Sequence, residues 1–349
     1  MKRLLFRLAA SLLVCGLWCA SASAGQANVF IYHRFGDNRY PSTDIAVATF
    51  AAQLRLLKDQ HYTVLPLGEI VRRLRRGEPL PERCAALTVD DAFESFWTGA
   101  MPLLRQYGYP VTLFVATDTI GGDSYMNWEQ LRTLVAEGVE IGNHTVSHPY
   151  LLDRKKGETQ QEWQTRVRRQ IVEAQARIKK ELGVTPTLFS YPYGEFDPSI
   201  EKIVSELGFA AAVGQQSGVI APGEDMFALP RFPMGGEYAT LKGFREKLHM
   251  KPLQVRVVSP QTPVVGSPDP PVLVVDIRDA EKLDLHQLRC FVQGQGNAKI
   301  EADQKVPDRF IIRAASPLAG RRNKYTLTAP GRDGRSWYWF SQLWVFPDR

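Results

Sequence analysis

Up to residue 253, short apolar runs alternate with longer stretches in which apolar residues recur at helical spacing. The runs have the length of buried strands, and the stretches have the period of amphipathic helices. This alternation predicts β-α units around a parallel sheet. The predicted strands cover residues 29–32, 86–89, 111–115, 139–142, 187–190 and 210–213. The predicted helices cover residues 50–60, 67–76, 95–107, 128–137, 159–182 and 198–207.

Glycine follows four of these helices, at the position where a helix usually ends. Without a β-carbon, glycine readily adopts the left-handed backbone that closes many helices. The four are Gly108, Gly138, Gly183 and Gly208. Their placement supports the predicted helix ends.

The pattern changes after residue 253. Proline and serine cluster at 259–263 and 267–271, which is typical of linkers and turns. Short strand-like runs follow at 272–277, 289–292, 310–313, 325–327 and 337–346. We therefore predict an α/β domain over residues 25–252, a linker with the first turns over 253–271, and a small all-β, sandwich-like domain over 272–349.

The last predicted strand is rich in aromatic residues on both faces. Trp339 and Leu343 share one face, while Phe340 and Trp344 share the other. One face should fill the core of the sandwich. We expect the other face to pack on the α/β domain, with carbohydrate binding as the alternative.

Residues 1–24 have the pattern of a secretory signal peptide. Basic residues at positions 2, 3 and 7 precede an apolar stretch and an Ala-x-Ala-like cleavage site at 21–24. A periplasmic or secreted protein is therefore expected, and a lipid anchor on Cys19 is the alternative. No later run reaches the roughly 18 apolar residues of a membrane span, so we expect no transmembrane segment after cleavage.

The net charge and the cysteine content bear on nucleic-acid binding and on disulfide bridges. The net charge is +6, and three of the cations lie in residues 1–24, so the rest of the chain carries +3. That excess is too small to indicate nucleic-acid binding. Beyond the signal, only Cys84 and Cys290 remain. Two separately buried thiols are expected, with a bridge between the domains as the alternative.

Candidate catalytic side chains follow two predicted strands. Asp90 and Asp91 end one strand, and His144 and His148 follow another. Functional groups gather at the carboxyl ends of parallel strands. One carboxylate and two imidazoles are suitable ligands for a zinc-type site with an open position, and the second carboxylate is free to act as a base. Each motif alone has a structural alternative, namely a helix cap or a polar loop. Together they predict metal-assisted hydrolysis.

Three motifs in order resemble those of the polysaccharide deacetylases, also called the NodB-homology or carbohydrate esterase 4 family. T-V-D-D at 88–91 resembles T-F-D-D, H-T-V-S-H at 144–148 resembles H-[ST]-x-x-H, and Y-P-Y-G at 191–194 resembles R-x-P-[YF]-G. The likeness covers roughly residues 28–231. The Y-H pair at Tyr32 and His33 resembles the pattern at this position in the exopolysaccharide-modifying branch of the family, which includes poly-N-acetylglucosamine deacetylases.

This resemblance implies a distorted (β/α) barrel and a divalent metal, usually zinc, with nickel, cobalt or iron(II) as alternatives. By motif position, the metal ligands would be Asp91, His144 and His148. The substrate-binding residues would be Pro192, Tyr193 and Gly194. Asp90 would be the general base.

The chain departs from the family pattern at three positions. Ala92 replaces the Gly of D-D-G, and Ser190 replaces the Arg that tethers the catalytic aspartate. Arg231 offers a substitute tether, but it also stands where the family's late His, the general acid, is expected. His33 is the candidate for that acid, and a hydrogen bond to backbone is the alternative for it.

Aromatic residues near the predicted strand ends are candidates for stacking on sugar rings. Besides Tyr193 they are Phe93, Trp97 and Trp128, for which core packing is the alternative. The resulting hypothesis is a metal-dependent hydrolase that removes acetyl groups from an N-acetylated polysaccharide in the cell envelope. An O-acetyl esterase and a non-catalytic carbohydrate-binding or assembly protein are the alternatives.

Overall fold

The computed structural model describes residues 25–267 and 269–347. The strands of the first part are β1 (Ala27–Tyr32), β2 (Arg34–Phe35), β3 (Asp44–Ile45), β4 (Thr63–Val64), β5 (Cys84–Asp90), β6 (Thr112–Val115), β7 (Glu140–Asn143), β8 (Leu188–Ser190), β9 (Ala211–Val213) and β10 (Phe232–Pro233). The helices are α1 (Val47–Asp59), α2 (Leu67–Arg76), α3 (Met101–Tyr107), α4 (Trp128–Ala136), α5 (Gln160–Leu182), α6 (Pro198–Glu206) and α7 (Leu241–Leu248).

Eight of these strands form one parallel sheet in the order β10-β1-β5-β6-β7-β8-β9, with β4 beside the start of β5. One bridge joins Val213 of β9 to Leu229, and the chain then continues into β10, which pairs with β1. The two edges of the sheet therefore approach each other through residues 229–233. This parallel half-barrel with helices between its strands confirms the predicted distorted (β/α) barrel.

Local sequence signals set the ends of the helices. Asn127 and Thr159 cap α4 and α5 by accepting hydrogen bonds from the backbone three residues later, in capping boxes with Gln130 and Glu162. All four predicted helix-closing glycines have a positive φ, between 65° and 88°. Apolar residues of α1, α3 and α4 pack on the same core as β1 and β5. The strand ends that carry polar residues are thereby held in fixed positions.

The C-terminal part is a sandwich of two four-stranded sheets. Its strands are β11 (Met250–Pro252), β12 (Val255–Ser259), β13 (Val272–Ile277), β14 (Arg289–Val292), β15 (Lys299–Ala302), β16 (Arg309–Arg313), β17 (Arg322–Pro330) and β18 (Trp337–Val345). The orders are β11-β18-β17-β14 and β12-β13-β16-β15. Leu273, Val275, Ile312 and Leu327 fill the space between the sheets. The predicted all-β sandwich is confirmed.

The segment predicted as a linker, 253–271, contains a strand. β12 lies within it and pairs antiparallel with β13, while β11, just before it, pairs with β18. These strands span five and three residues. Such short runs carry little periodic signal, and the prolines that follow them dominate the local pattern.

The two faces of β18 pack into different hydrophobic cores. Leu343 packs with Trp163 in a cluster on the barrel, and the Trp339 ring meets the Phe232 ring edge-on at 5.8 Å between centroids. Trp344 and Phe340 belong to the core of the sandwich. The predicted packing of one β18 face on the α/β part is confirmed.

Both described cysteines are free and buried, Cys84 in the barrel and Cys290 in the sandwich. The prediction of separately buried thiols is confirmed, and the alternative of a bridge is wrong. No helix within the described ranges is both long and apolar enough to cross a bilayer. The predicted signal peptide, residues 1–24, lies outside the described residues, as does the alternative anchor at Cys19.

Candidate active site

Three strands of the parallel sheet end at one place in the barrel. β5 ends at Asp90, β7 ends at Asn143 just before His144, and β8 ends at Ser190. The parallel pairing of β5 with β6, β6 with β7 and β7 with β8 keeps these ends at the same edge of the sheet. The polar residues that follow the strands therefore face one cleft.

Asp90 is fully buried and held by a guanidinium. Nη1 and Nη2 of Arg231 each lie 2.8 Å from one carboxylate oxygen of Asp90, in a bidentate pair. The hydroxyl of Ser190 donates a further hydrogen bond to Asp90 at 3.0 Å. The contact predicted between Arg231 and the aspartate is present. Ser190, which stands at the family's Arg position, belongs to the same network.

All five N–H groups of Arg231 have acceptors. Besides the two oxygens of Asp90, they donate to the Gly214 carbonyl at 2.9 Å, the Thr88 hydroxyl at 3.1 Å and the Ser190 hydroxyl at 2.9 Å. Arg231 is completely buried. A buried arginine with every donor satisfied is fixed in one orientation, and so is the carboxylate that it binds.

Asp91, His144 and His148 form a group that could hold a metal ion, because their ligand atoms all lie within 4.8 Å of one another. Oδ1 of Asp91 is 3.4 Å from Nε2 of His144 and 3.3 Å from Nε2 of His148. Nε2 of His144 also lies 3.9 Å from Oδ2 of Asp90. Asp90 is thus beside the group without being one of the three.

The tautomer of His144 fits a metal ligand. Its Nδ1–H donates to the Ser190 carbonyl at 2.7 Å, which leaves the lone pair of Nε2 directed at Asp91. Nε2 is buried, and it has no hydrogen-bond partner in the described part of the chain. Buried polar atoms without partners are rare. A cation bound here would satisfy this nitrogen, so the residues fit the group that the family implies.

Charges in the cleft favour ionised carboxylates and a neutral His148. Burial alone would raise the pKa of Asp90, but the charge of Arg231 outweighs it, and the pKa lies well below its usual range. Burial and the neighbouring His144 lower the pKa of His148 to about 4. A neutral imidazole is the form that binds a metal.

Backbone strain concentrates at the site. Five of its residues have a left-handed backbone without being glycine: Asp91, Ala92, Thr145, His148 and Tyr193. Such conformations persist only where the surrounding structure enforces them, and they cluster at functional sites. Ala92, which replaces the family's Gly, is among them with φ of 59°. The substitution is therefore accommodated at the cost of strain.

Pro192, Tyr193 and Gly194 form a tight turn beside the ligand group. The Tyr193 ring meets the His148 ring nearly edge-on, with centroids 4.4 Å apart. Gly194 has φ of 72°, and a β-carbon there would lie 2.6 Å from the Gln215 nitrogen. The turn therefore requires Gly at this position and places Tyr193 next to a candidate ligand.

His33 lies near the same cleft, since Asp91, Asp90 and Arg231 are close enough to influence its pKa. Burial is the largest influence on it and lowers its pKa. The other predicted aromatics pack in the core instead. Phe93 is buried against Tyr125, and the partly buried Trp97 and Trp128 belong to the surroundings of the barrel core.

Four further residues next to the turn are missing from the sequence prediction. Glu195 directly follows the turn and is fully buried, and Tyr150 stacks on Tyr193 at 4.0 Å between centroids. Arg321 and Arg322 reach Glu195 from the sandwich. The position of Glu195 after Y-P-Y-G was one available signal, whereas the arginines lie more than 120 positions away.

Part of the chain matches a known protein family. Residues 77–212 match the family model described as polysaccharide deacetylase. The chain is similar to the putative polysaccharide deacetylase YxkH of Bacillus subtilis, at 24% identity over 61% of this chain and 73% of that protein. It is also similar to the poly-beta-1,6-N-acetyl-D-glucosamine N-deacetylase of Escherichia coli, at 24% identity over 64% of this chain. That match spans 38% of the E. coli protein.

Solved structures share the fold. The deacetylase PplD of Streptococcus pyogenes, in complex with acetate, superposes with a TM-score of 0.58 at 19% identity and covers 65% of this chain and 99% of its own. IcaB from Ammonifex degensii gives a TM-score of 0.56 at 24% identity and covers 64% of this chain and 96% of its own. The fold, the ordered motifs and the family match point the same way. The chain therefore carries a region, residues 77–212, that matches the polysaccharide deacetylase family.

Proposed function

We propose that this enzyme is a metal-dependent N-deacetylase that acts on a polymer of N-acetylglucosamine-type units in the cell envelope. The observation that carries the proposal is the group of Asp91, His144 and His148 beside an Asp90 that Arg231 holds in place. A carbohydrate-binding protein would need no carboxylate fixed next to three metal ligands. The printed names of the E. coli and Staphylococcus aureus relatives support the choice of polymer.

In this proposal Asp91, His144 and His148 hold a divalent cation, with Zn²⁺ as the first choice for a carboxylate and two imidazoles. When bound, such an ion polarises a carbonyl and lowers the pKa of water from ~15.7 to ~7. The chain itself supplies the remaining groups. Asp91 and the neutral His148 are already in the protonation states that ligands require at neutral pH.

Asp90 is the proposed general base. It accepts the proton of the attacking water, and its low pKa keeps it ionised and ready at neutral pH. Arg231 and Ser190 occupy only part of the lone-pair capacity of its oxygens, so one position remains for the water. Arg231 orients this carboxylate, in the role of the Arg that Ser190 replaces.

The turn at Pro192, Tyr193 and Gly194 is the proposed acetyl-binding element. The backbone N–H of Tyr193 donates to the carbonyl oxygen as negative charge develops there, a type of contact worth about 2.7–4 kcal/mol per donor. His33 is the proposed proton donor to the leaving nitrogen. Since burial lowers its pKa, His33 is neutral at rest, and the proton that it passes to the leaving nitrogen is the one that Asp90 accepts from the attacking water.

Location in the periplasm or outside the cell is part of the same proposal. It is supported by the signal-like pattern of residues 1–24 and by relatives whose names refer to a polysaccharide substrate. We expect no nucleic-acid partner, because the charge of the chain is small once those residues are removed.

One experiment tests the function directly. The purified chain without residues 1–24 is analysed for bound metal, and acetate release is then measured on β-1,6-linked and β-1,4-linked N-acetylglucosamine oligomers and on acetylated xylan. Metal-dependent release from the β-1,6 oligomers supports the proposal. Release from xylan alone would instead identify an O-acetyl esterase, and no release by a metal-loaded enzyme would favour a binding protein.

A further inference from the structure

Two adjacent arginines of the sandwich reach into the barrel beside the substrate turn. Arg321 precedes β17, and Arg322 is its first residue. Nε and Nη2 of Arg321 lie 2.7 Å from the two oxygens of Glu195, and Nη1 of Arg322 lies 3.0 Å from one of them. Glu195 is completely buried and directly follows Gly194. The buried negative charge of Glu195 is therefore neutralised by two cations that come from the sandwich.

A stack of rings forms a second connection. The Arg321 guanidinium lies 4.0 Å from the centre of the Tyr150 ring. Tyr150 stacks on Tyr193 at 4.0 Å with an angle of 16° between the rings, and Tyr193 meets His148 edge-on at 4.4 Å. Arg322 also lies over Tyr193, at 5.2 Å. The contacts thus run without interruption from the sandwich to a candidate metal ligand.

These contacts differ from the others between the two parts. Elsewhere the described interface has hydrogen bonds such as those between the Ser217 and Ser341 hydroxyls at 2.8 Å and from the Lys324 ammonium to the Gln215 carbonyl at 3.0 Å. At Glu195, by contrast, three charged side chains meet next to a turn with left-handed backbone at Tyr193 and Gly194. A strained turn keeps its shape only if its surroundings enforce it, and the arginines supply that constraint.

We propose that Arg321 and Arg322 are positioning residues of the active site, so that the sandwich is a required part of the catalytic unit. Through Glu195 and the ring stack they hold the turn 192–194 and, with it, the contact between Tyr193 and His148. The inference rests on the proposed function, because it assigns these arginines a role in the same reaction. It also predicts an effect on the order of the turn that is independent of activity.

Two substitutions test this role and still leave a cation beside the buried Glu195 carboxylate, so that the variants can fold. Arg321→Lys retains the charge but loses the planar fork and the stacking surface, and Arg322→Gln removes the cation over Tyr193 while leaving Arg321 in place. Ser341→Ala is the matched control, since it breaks an interface contact that does not reach the turn. For each variant we measure kcat and KM for acetate release, the melting temperature, and amide hydrogen exchange of residues 190–197.

We expect both arginine variants to exchange faster over residues 190–197 and to lose roughly 10-fold or more in kcat/KM, because small displacements of positioning groups are costly to catalysis. Ser341→Ala should keep both values within twofold of the unmodified chain. The proposal is overturned if the arginine variants also stay within twofold, or if Ser341→Ala loses as much as they do. If the unmodified chain releases no acetate, the proposed function fails, and the exchange data alone decide the inference.

Discussion

The pair formed by Asp90 and Arg231 should be strongly coupled. Both side chains are completely inaccessible to solvent, and two 2.8 Å hydrogen bonds join them. Asp90→Asn or Arg231→Met alone leaves a buried charge without its partner, which costs about 3–5 kcal/mol in the free energy of unfolding. The double variant removes both charges. We therefore expect its cost to fall short of the sum of the single costs by about 3 kcal/mol.

Urea unfolding of the four proteins, followed by circular dichroism at fixed pH and salt, measures this coupling. Arg105 and Glu137 provide the control, since they form a similar bidentate pair but their side chains are 41% and 36% exposed. Arg105→Met with Glu137→Gln should show a coupling of about 0–1 kcal/mol. If the coupling of Asp90 with Arg231 is no larger than that of the control, the buried pair does not organise the site as described.

Four further changes test other features. Asp90→Asn should abolish acetate release while the metal content stays unchanged; loss of both by a variant that keeps its circular dichroism spectrum would mean that Asp90 acts as a ligand. Treatment with a chelator should likewise abolish release, and Zn²⁺ should restore it. Gly194→Ala places a β-carbon 2.6 Å from Gln215 at a residue with left-handed backbone. We expect kcat/KM to fall roughly 100-fold, the loss that follows when reacting groups shift by about 1 Å. An unchanged kcat/KM would show that the turn can relax. Burial raises the pKa of Glu201 to about 7, so the folded state binds the proton more tightly and loses stability as pH rises from about 4.5 to 7. Glu201→Gln should therefore raise the melting temperature by about 2–4 °C at pH 8 and leave it unchanged at pH 4; equal shifts at both pH values would contradict this.

The sequence predicts those helices and strands whose own residues show a clear apolar pattern. α2 and β13 begin and end where the apolar pattern places them, and the motifs around Asp90 and His144 lie at the predicted strand ends. Periodicity and capping residues are local properties, so they can be read without knowledge of the fold. The family resemblance adds the meeting of these strand ends in one cleft.

Other features depend on partners that are distant in the chain. β2, β3 and β10 each span two residues, which is too short for a periodic pattern. The contacts of Glu195 with Arg321 and Arg322 join residues 126 and 127 positions apart, and no motif links them. Arg231 could be proposed only because the missing family Arg required a substitute. Its full set of five acceptors follows from the tertiary structure alone.

The placement of the two thiols gives the chain a reporter in each core. Burial raises the pKa of Cys84 and of Cys290 to about 12, so neither thiol reacts readily in the folded protein. In a chain without residues 1–24 these are the only cysteines. The rates at which they are alkylated in increasing urea would reveal whether barrel and sandwich open together or one after the other.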